Sequence, residues 1–407
     1  MTQYTINRLG HLGDGITDGP LYVPQTLPGE VITGTPEGEA LRDVKIITPS
    51  ADRVSPPCRH FRTCGGCLMQ HASDGFLARW KGDIAKAALA AHGITVDFLP
   101  IAISPPRSRR RATFAARRSK KGAMAGFHAK GSDVIVEVND CHLLHPDLLA
   151  ALPVAKDLAI AGASRKHHID VAVTLSGNGL DVLATEGKPL DGPLRISLGA
   201  LAEKHRLARL CWGDEIISYR AAPEQVFGIS RVTPPPGSFL QATLAGEAAL
   251  QADVKRIVTG AKNVIDLYAG CGTFALDLAT HSTVHAVEGS AEMIAALDAG
   301  WRNTQGLKPV TSEVRDLHQN PLLPDELKKY DAVVIDPPRV GAETQIAQVC
   351  AAQIPKIAYV SCNPTSFARD ARALIDSGYC LETLRVVDQF RWSNHVELVA
   401  EFSITSG

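Results

Sequence analysis

The stretch VIDLYAGCGTFALDLA, Val264 to Ala279, has the pattern of a buried strand, a glycine-rich turn and the start of a helix. Its apolar beginning, VIDLY, is typical of a strand that is covered on both faces. The turn that follows holds Gly270 and Gly272, and a glycine lets the backbone pass close to a ligand because it has no Cβ atom. The stretch therefore predicts the first unit of an open α/β sheet that holds a ligand at this turn.

Strands and helices alternate on both sides of this stretch. From residue 240 the sequence reads as a helix, VIDLY, a helix, strand VHAVE, a helix, strand DAVVID, a helix and strand IAYV. This alternation predicts a doubly wound, mostly parallel sheet, whose ligands bind beyond the carboxyl ends of the strands. Glu288 ends the second strand, where a carboxylate can accept both ribose hydroxyls of a nucleoside cofactor. The loop also satisfies G-x-G-x-x-A, so NAD and S-adenosylmethionine both stay open at this point.

Two further motifs follow consecutive predicted strands. DPPR begins at Asp336, and SCNP contains Cys362. Parallel neighbours end at one edge of a sheet, so the two motifs should lie close together. A third element, WSNHVELVA, carries Glu397. A cysteine taken alone is more often a packing residue, but a thiol beside carboxylates fits a nucleophile with a general base.

This ordered set of motifs resembles the RNA uracil-5-methyltransferase family. The sequence matches D-P-P-R-x-G, S-C-N-P and H-x-E in order, and its glycine loop resembles the first motif of class I methyltransferases. The resemblance covers nearly the whole chain and implies a Rossmann-like class I domain that methylates carbon 5 of a specific uridine in RNA. It implies that Cys362 adds to carbon 6 of uracil and that Glu397 later removes the carbon-5 proton. Asp336 would lie between cofactor and uracil.

The resemblance also implies an S-adenosylmethionine pocket. Its implied residues are Gln241, Tyr268, Gly270, Gly272, Thr273, Glu288, Asp316 and Asp336. The sequence departs from the family pattern at two places, so the contact made at the first and the surroundings of Glu397 at the second do not follow from the resemblance. Thr243 stands where the family motif F-x-Q-x-N ends, and Phe390-Arg391-Trp392-Ser393 replaces F-P-x-T before Glu397. Arg339 is a candidate for the positive charge that favours the Cys362 thiolate.

The first 52 residues predict a small β-barrel. Short strand-like runs alternate with Gly, Pro and Asp there, as in OB-type barrels, and the segment looks like a TRAM domain. Residues 53–236 are expected to form a central α+β iron–sulfur and RNA-binding domain with an antiparallel sheet. The linker TPPPGSF then leads to a methyltransferase domain at 237–407. The helix expected at 76–92 is a candidate to pack on that last domain.

A cysteine cluster indicates a metal centre. Cys58, Cys64 and Cys67 have the spacing C-x5-C-x2-C, and Cys141 is the next cysteine. Four thiolates suit either zinc or a [4Fe–4S] cluster, and His71 or His142 could replace one thiolate on zinc. The family resemblance favours the [4Fe–4S] cluster, because its ribosomal RNA members carry one closed by a distant cysteine.

A basic stretch predicts contact with RNA phosphates. RSRRRATFAARRSKK, Arg107 to Lys121, holds eight Lys and Arg and no acid in a chain of net charge −1. Phe114 and Phe127 are candidates to stack on bases, with core packing as the alternative. The iron–sulfur motif and the barrel favour 23S ribosomal RNA as the substrate, with transfer RNA as the nearest alternative. A non-catalytic RNA-binding iron–sulfur protein and an NAD-linked oxidoreductase are alternatives with no use for Cys362 and Glu397.

Composition places the chain among ordinary globular proteins. It has 45% hydrophobic and 21% charged residues, which is typical of that class, and its 407 residues suggest two or three domains. We see neither a secretory signal pattern nor a run of 18 apolar residues. We therefore expect a cytoplasmic monomer without a membrane segment.

Overall fold

The computed structural model describes residues 2–19 and 21–404, which form a barrel, a central sheet and a larger C-terminal sheet. The barrel is closed, in the order β1-β2-β3-β5-β4, around Ile6, Val23, Ile32 and Leu41. Its strands are β1 Gln3–Leu9, β2 Gly15–Thr17, β3 Tyr22–Val23, β4 Val31–Glu37 and β5 Ala40–Thr48. The predicted small N-terminal β-barrel is confirmed, and it has five strands. Within the described part of the chain, no helix has the length and apolar character needed to cross a membrane.

The central sheet has seven strands in the order β13-β12-β11-β10-β7-β8-β9. Its strands are β7 Arg111–Ser119, β8 Gly122–His128, β9 Ile135–Val136, β10 Ile169–Ser176, β11 Gly179–Thr185, β12 Arg209–Trp212 and β13 Glu215–Tyr219. Its helices are α2 Pro146–Leu149, α3 Ala151–Gly162 and α4 Gly192–Lys204. Helix α3 packs on β7 and β8 and buries one face of the sheet. The pairing is antiparallel as expected, except that β11 and β12 run parallel across the connection made by α4.

The C-terminal sheet has eight strands in the order β18-β17-β16-β19-β20-β22-β21-β6. Its strands are β6 Ala102–Ile103, β16 Asn263–Leu267, β17 Thr283–Glu288, β18 Val310–Val314, β19 Ala332–Ile335, β20 Lys356–Ser361, β21 Tyr379–Asp388 and β22 Glu397–Ile404. Its helices are α5 Leu244–Ile257, α6 Ala275–Leu278, α7 Ala291–Arg302, α8 Pro324–Leu327, α9 Glu343–Ala352 and α10 Pro364–Asp376. A hairpin of β14 Gln225–Phe227 and β15 Ser230–Val232 precedes α5.

The five strands from β18 to β20 are parallel, which confirms the doubly wound sheet. Separate apolar cores cover its two faces. The sequence TFALDLAT, Thr273 to Thr280, reads as a helix, but helix α6 has only one turn, because the glycine turn continues through Thr273 and Phe274.

An early part of the chain also packs on this sheet. Helix α1, Asp74–Ala90, lies against α10, and its residues Ala85 and Leu89 join the core beneath that helix. Strand β6 then pairs in parallel with the end of β21. The helix starts at Ser73, whose hydroxyl accepts a hydrogen bond from the Phe76 amide at 3.2 Å. Residues 74–103 are thus structural neighbours of the C-terminal sheet although they precede the central sheet in sequence.

Candidate active site

A cavity of about 1060 Å³ lies at the carboxyl ends of β16, β17, β19 and β20. Cys362, Asp336 and Glu397 all line it. The sheet explains this arrangement, since Ile335 pairs with Tyr359 and Ser361 pairs with Leu398 across adjoining strands. The three residues predicted to carry the chemistry therefore stand at three neighbouring strand ends.

The turn after β20 holds Cys362 at the cavity. Asn363 caps helix α10, its side chain accepting a hydrogen bond from the Thr365 amide at 3.1 Å, and Pro364 takes the first helical position. The side-chain NH₂ group of Asn363 also donates a hydrogen bond to the backbone carbonyl of Arg339 at 2.8 Å. The loop that follows Asp336 is thus tied to the turn that carries Cys362.

The acidic groups of the site have raised pKa values. Burial raises the pKa of Asp336 to about 7, and burial together with Asp336 raises the pKa of Glu397 well above its usual range. Burial, Glu397 and Asp336 raise the pKa of the Cys362 thiol to about 11. Arg339 opposes this effect, as expected from the sequence, but it does not outweigh the burial and the two carboxyls. In the free protein at neutral pH, Cys362 is therefore a thiol.

The glycine turn supports one end of the cavity. Gly270 has φ 55°, faces open space and donates its amide hydrogen to Glu288 Oε2 at 3.0 Å. Gly272 has φ 94°, and a Cβ atom there would lie 2.9 Å from Leu276 Cγ. Gly270 thus leaves the cavity open, whereas Gly272 allows the turn to pack on α6.

The remaining predicted cofactor residues divide into two groups. The cavity lining includes Gln241, Tyr268, Thr273 and Glu288. Gly272 and Asp316 are outside that lining. Asp316 is exposed, and its carboxylate accepts hydrogen bonds from the amides of His318 and Gln319 at 2.9 and 3.2 Å. The structure thus places Asp316 as the start of a turn at the rim of the sheet.

Thr243 has a structural role that explains one departure from the family pattern. Its hydroxyl accepts a hydrogen bond from the Gly246 amide at 2.9 Å and caps helix α5. The same hydroxyl lies 2.7 Å from Ser104 Oγ. The residue is buried and does not line the cavity, so here the position serves the helix start.

The second departure lies in the segment between β21 and β22, which leads to Glu397. The Trp392 carbonyl accepts hydrogen bonds from the amides of Leu68 and Met69 at 2.8 and 3.1 Å. The Trp392 side chain is buried in a cluster that includes Cys58, Cys67 and Met69. Trp392 adopts φ 60°, a left-handed conformation that is uncommon outside glycine. The segment that carries Glu397 is thus anchored on the cysteine loop.

The four predicted metal-binding cysteines line the same cavity. Burial raises the pKa values of Cys64, Cys67 and Cys141, that of Cys67 to about 12. The charge of Arg109 acts on Cys67 and Cys141, and the charge of Lys130 acts on Cys64 and Cys67, so positive charge is available to balance thiolates.

A bound metal centre is not confirmed. No group of three or more His, Cys, Asp or Glu side chains in residues 2–19 and 21–404 is arranged to hold a metal ion. Zinc draws its sulfur ligands into one close tetrahedral shell at about 2.3 Å. His71 is buried against Phe61, and His142 contacts Asp140, so neither replaces a thiolate at the cavity. The thiols face one space without forming the shell that zinc requires.

The basic stretch is partly internal, which corrects its reading as one phosphate-binding surface. Arg110 is buried and pairs with Glu247 at 2.5 Å, while the guanidinium of Arg111 lies 4.5 Å from the centre of the Phe239 ring. Lys120 and Lys121 are exposed. The stretch offers fewer free charges than its composition suggests.

The two phenylalanines proposed to stack on bases instead pack on each other. Phe114 is fully buried, with its ring centre 5.3 Å from that of Phe127. Phe127 also lines the cavity, so it alone of the pair can reach a ligand there.

Sequence reasoning missed two residues that support the site. Lys81, on α1, has its Nζ atom 2.5 Å from Asp388 Oδ1 and donates to the Phe390 carbonyl at 3.0 Å. Gln389 donates a hydrogen bond to Glu397 at 3.0 Å. Lys81 and Asp388 are 307 residues apart, so no local spacing could connect them. For Gln389, the one available signal was its place in the segment before Glu397.

Comparisons with known proteins agree with this geometry. A family model described as tRNA (Uracil-5-)-methyltransferase matches residues 236–400. An uncharacterized RNA methyltransferase of Brucella suis is 42% identical over 401 residues, with 98% of this chain and 97% of that protein covered. The 23S rRNA (uracil(1939)-C(5))-methyltransferase RlmD of Vibrio vulnificus is 30% identical, with 98% and 95% covered.

A solved structure shares the whole fold. The Pyrococcus abyssi tRNA (uracil-54, C5)-methyltransferase in complex with S-adenosyl-L-homocysteine superposes with a TM-score of 0.79 at 21% identity, covering 98% of this chain and 99% of that one. The likeness confirms the predicted class I methyltransferase fold.

Proposed function

The chain belongs to the RNA uracil-5-methyltransferase family, and we propose that it methylates carbon 5 of one uridine in 23S ribosomal RNA with S-adenosylmethionine as methyl donor. The observation that carries the proposal is the meeting of Cys362, Asp336 and Glu397 at one cavity. Ribosomal RNA is favoured because the similarity to RlmD extends over both chains. The description of the family model supports transfer RNA as the alternative. A ribosomal RNA substrate implies a cytoplasmic location.

The first step makes carbon 5 of uracil nucleophilic. The Cys362 thiolate adds to carbon 6, forming a carbon–sulfur bond while the C5–C6 π electrons move towards the carbonyl oxygen on carbon 4. Asp336, whose pKa is about 7 because of burial, is partly protonated at neutral pH. In that form it donates a hydrogen bond to the oxygen on which negative charge collects.

The later steps transfer the methyl group and release the enzyme. S-adenosylmethionine supplies a methyl group on a sulfonium, and carbon 5 takes that methyl group while the sulfur keeps the bonding electrons. Glu397 then removes the proton from carbon 5. The freed electron pair re-forms the C5–C6 double bond and expels Cys362 as a thiolate. The raised pKa of Glu397 makes its ionised form a stronger base for this step.

The cavity provides a place for both substrates. Gln241, Tyr268, Gly270, Thr273 and Glu288 would contact S-adenosylmethionine, with the Glu288 carboxylate near the ribose. A positively charged sulfonium beside Cys362 would lower the thiol pKa and so favour the thiolate. The target uridine must leave any base stack to enter the cavity.

We also propose that Cys58, Cys64, Cys67 and Cys141 hold a [4Fe–4S] cluster. The support is that the four thiols line one cavity and that the positive charges of Arg109 and Lys130 act on them. Because Trp392 packs on the cysteine loop, the cluster would stabilise the segment that leads to Glu397. Anaerobic purification should give about four iron atoms per chain, and Cys141→Ser should lose them. Stoichiometric zinc in place of iron would contradict this assignment.

The proposed substrate is tested by deleting the gene and mapping 5-methyluridines in ribosomal and transfer RNA. We expect one 23S site to lose its methyl group and to regain it with the wild-type gene but not with Cys362→Ala. Loss confined to transfer RNA would reject the ribosomal substrate, and unchanged 5-methyluridine in both RNAs would reject the activity.

A further inference from the structure

Gln389 lies at the centre of a buried hydrogen-bond network beside the candidate base. Its side-chain nitrogen donates to Glu397 Oε2 at 3.0 Å and to Gln241 Oε1 at 2.5 Å. Its side-chain oxygen accepts from the Ala242 amide at 2.7 Å. Gln389, Glu397 and Gln241 are 1%, 2% and 4% exposed, so water cannot readily replace these partners.

We propose that Gln389 is the positioning residue for the proton-abstraction step: it holds Glu397 in place and ties it to Gln241 at the cofactor side of the cavity. The proposal deepens the proposed function and rests on it. Gln389 lies outside the sequence motifs quoted above, so the proposal adds a residue that they do not contain.

The network fixes which atoms face the substrates. Both N–H groups of Gln389 are used, one on each partner, so its amide has a single orientation. Glu397 is held through Oε2, which leaves Oε1 to take the proton. Gln241 is held through its oxygen, which leaves its NH₂ group as a donor to the cavity.

The backbone of α5 makes room for Gln389. A Cβ atom at Gly246 would lie 2.6 Å from Gln389 Cβ, 3.0 Å from Oγ1 of Thr243, which caps α5, and 3.3 Å from Gln389 Oε1. Gly246→Ala would therefore displace Gln389 while leaving every network side chain chemically intact. The chain thus offers two independent ways to disturb the same residue.

The hydrogen bond from Gln389 also favours the ionised form of Glu397. Asp336 and Cys362 are the titratable groups that face Glu397 from the neighbouring strand ends, and burial and Asp336 raise the pKa of Glu397 while Gln389 lowers it. Without Gln389 the Glu397 pKa rises further, so the base should reach its ionised form at a higher pH.

The test separates methyl transfer from proton removal. RNA carrying tritium at carbon 5 of uridine releases it only when the base acts, whereas labelled S-adenosylmethionine reports the methyl transfer. In Gln389→Met, tritium release should fall about 10- to 100-fold, as expected for losing one hydrogen bond to a charged group. At saturating S-adenosylmethionine, methyl transfer in a single turnover should fall much less than tritium release, because the lost bond to Gln241 acts through cofactor binding, and a covalent RNA–protein adduct should accumulate. The acidic limb of the rate profile for tritium release should move to higher pH.

Gln345→Met is the matched control. Gln345 is also fully buried, and its amide binds the backbone of Leu322 through both its oxygen and its nitrogen, away from the cavity. It should lower stability without any lag between methyl transfer and tritium release. Gly246→Ala should show the lag of Gln389→Met, which keeps the test informative if the methionine variant folds poorly.

Three outcomes would overturn the proposal. Tritium release that keeps pace with methyl transfer in both Gln389→Met and Gly246→Ala would remove the positioning role. If tritium release also lagged behind methyl transfer in Gln345→Met, the effect of Gln389→Met would be a general consequence of lower stability and not of positioning. A wild-type protein that transfers methyl groups to RNA without releasing tritium would reject the carbon-5 chemistry itself, and with it the role of Gln389.

Discussion

Replacing Lys81 by methionine should loosen the segment that leads to Glu397. The Lys81 side chain is 0% exposed and its partner Asp388 is 3% exposed, with Nζ and Oδ1 2.5 Å apart. Lys81 also donates to the Phe390 carbonyl at 3.0 Å. Helix α1 is thus joined to the residues on both sides of Gln389.

The size of the effect follows from this burial. Removing one partner of a buried ion pair leaves an uncompensated charge and typically costs about 3–5 kcal/mol. Each 1.4 kcal/mol corresponds to a factor of ten, so local opening of this segment should become at least about 10²- to 10³-fold more frequent. Amide hydrogen exchange measures such opening directly, so peptides from α1 and from residues 385–398 should exchange faster by about that factor.

A double variant separates charge burial from lost packing. Lys81→Met with Asp388→Asn removes the unpaired carboxylate but keeps an oxygen that can accept from the Phe390 amide. It should recover at least half of the lost protection, because the uncompensated charge is gone. Less than a threefold change in exchange in the single variant would refute the argument. So would a double variant that exchanges as fast as the single one.

Two further predictions concern the ionisation of Cys362, which is partly buried, and of Asp266, which is fully buried. Alkylation of Cys362, followed by mass spectrometry of its peptide, should be slow at pH 7, and its rate should rise about tenfold per pH unit towards the thiol pKa of about 11. S-adenosylmethionine should accelerate the alkylation. A rate that levels off below pH 8 in the free protein would contradict the argument that burial raises this pKa. Asp266 is fully buried, and burial, together with Asp336 and Glu288, raises its pKa well above its usual range. In the folded protein the Asp266 carboxyl keeps a proton that it loses above about pH 4 in the unfolded chain. This group therefore makes the free energy of unfolding fall as pH rises. In urea unfolding, Asp266→Asn should therefore raise the free energy of unfolding above that of the wild type by more at pH 8 than at pH 5. The control Asp325→Asn, at a side chain that is 93% exposed, should show no such difference between the two pH values. An equal increase at both pH values in Asp266→Asn would refute this argument.

Much of the fold follows from local patterns. The alternation of strands and helices after residue 240 predicts the parallel sheet, and Pro and Gly punctuation predicts the barrel. Asp336 and Cys362 share a cavity because neighbouring parallel strands end at one edge of the sheet, which strand order alone predicts, whereas the family resemblance was needed to place Glu397 with them.

Contacts between distant segments were beyond that reasoning. The pairing of Lys81 with Asp388, the burial of Arg110 against Glu247 and the anchoring of Trp392 on the cysteine loop all depend on three-dimensional packing. The basic stretch shows the limit clearly, since a run of charges does not reveal which of them the fold uses internally. The positions of Asp316 and Thr243 likewise follow from the turns and caps formed around them.

The measurement that tests the central claim most directly is the mass of a trapped adduct. Glu397→Gln, incubated with an unmodified 23S ribosomal RNA transcript and S-adenosylmethionine, should retain RNA through denaturing electrophoresis. After digestion, the peptide that contains Cys362 should carry one methylated uridine nucleotide, and Cys362→Ala should give none. Formation of 5-methyluridine at the wild-type rate by either variant, with no adduct on Cys362, would contradict the account.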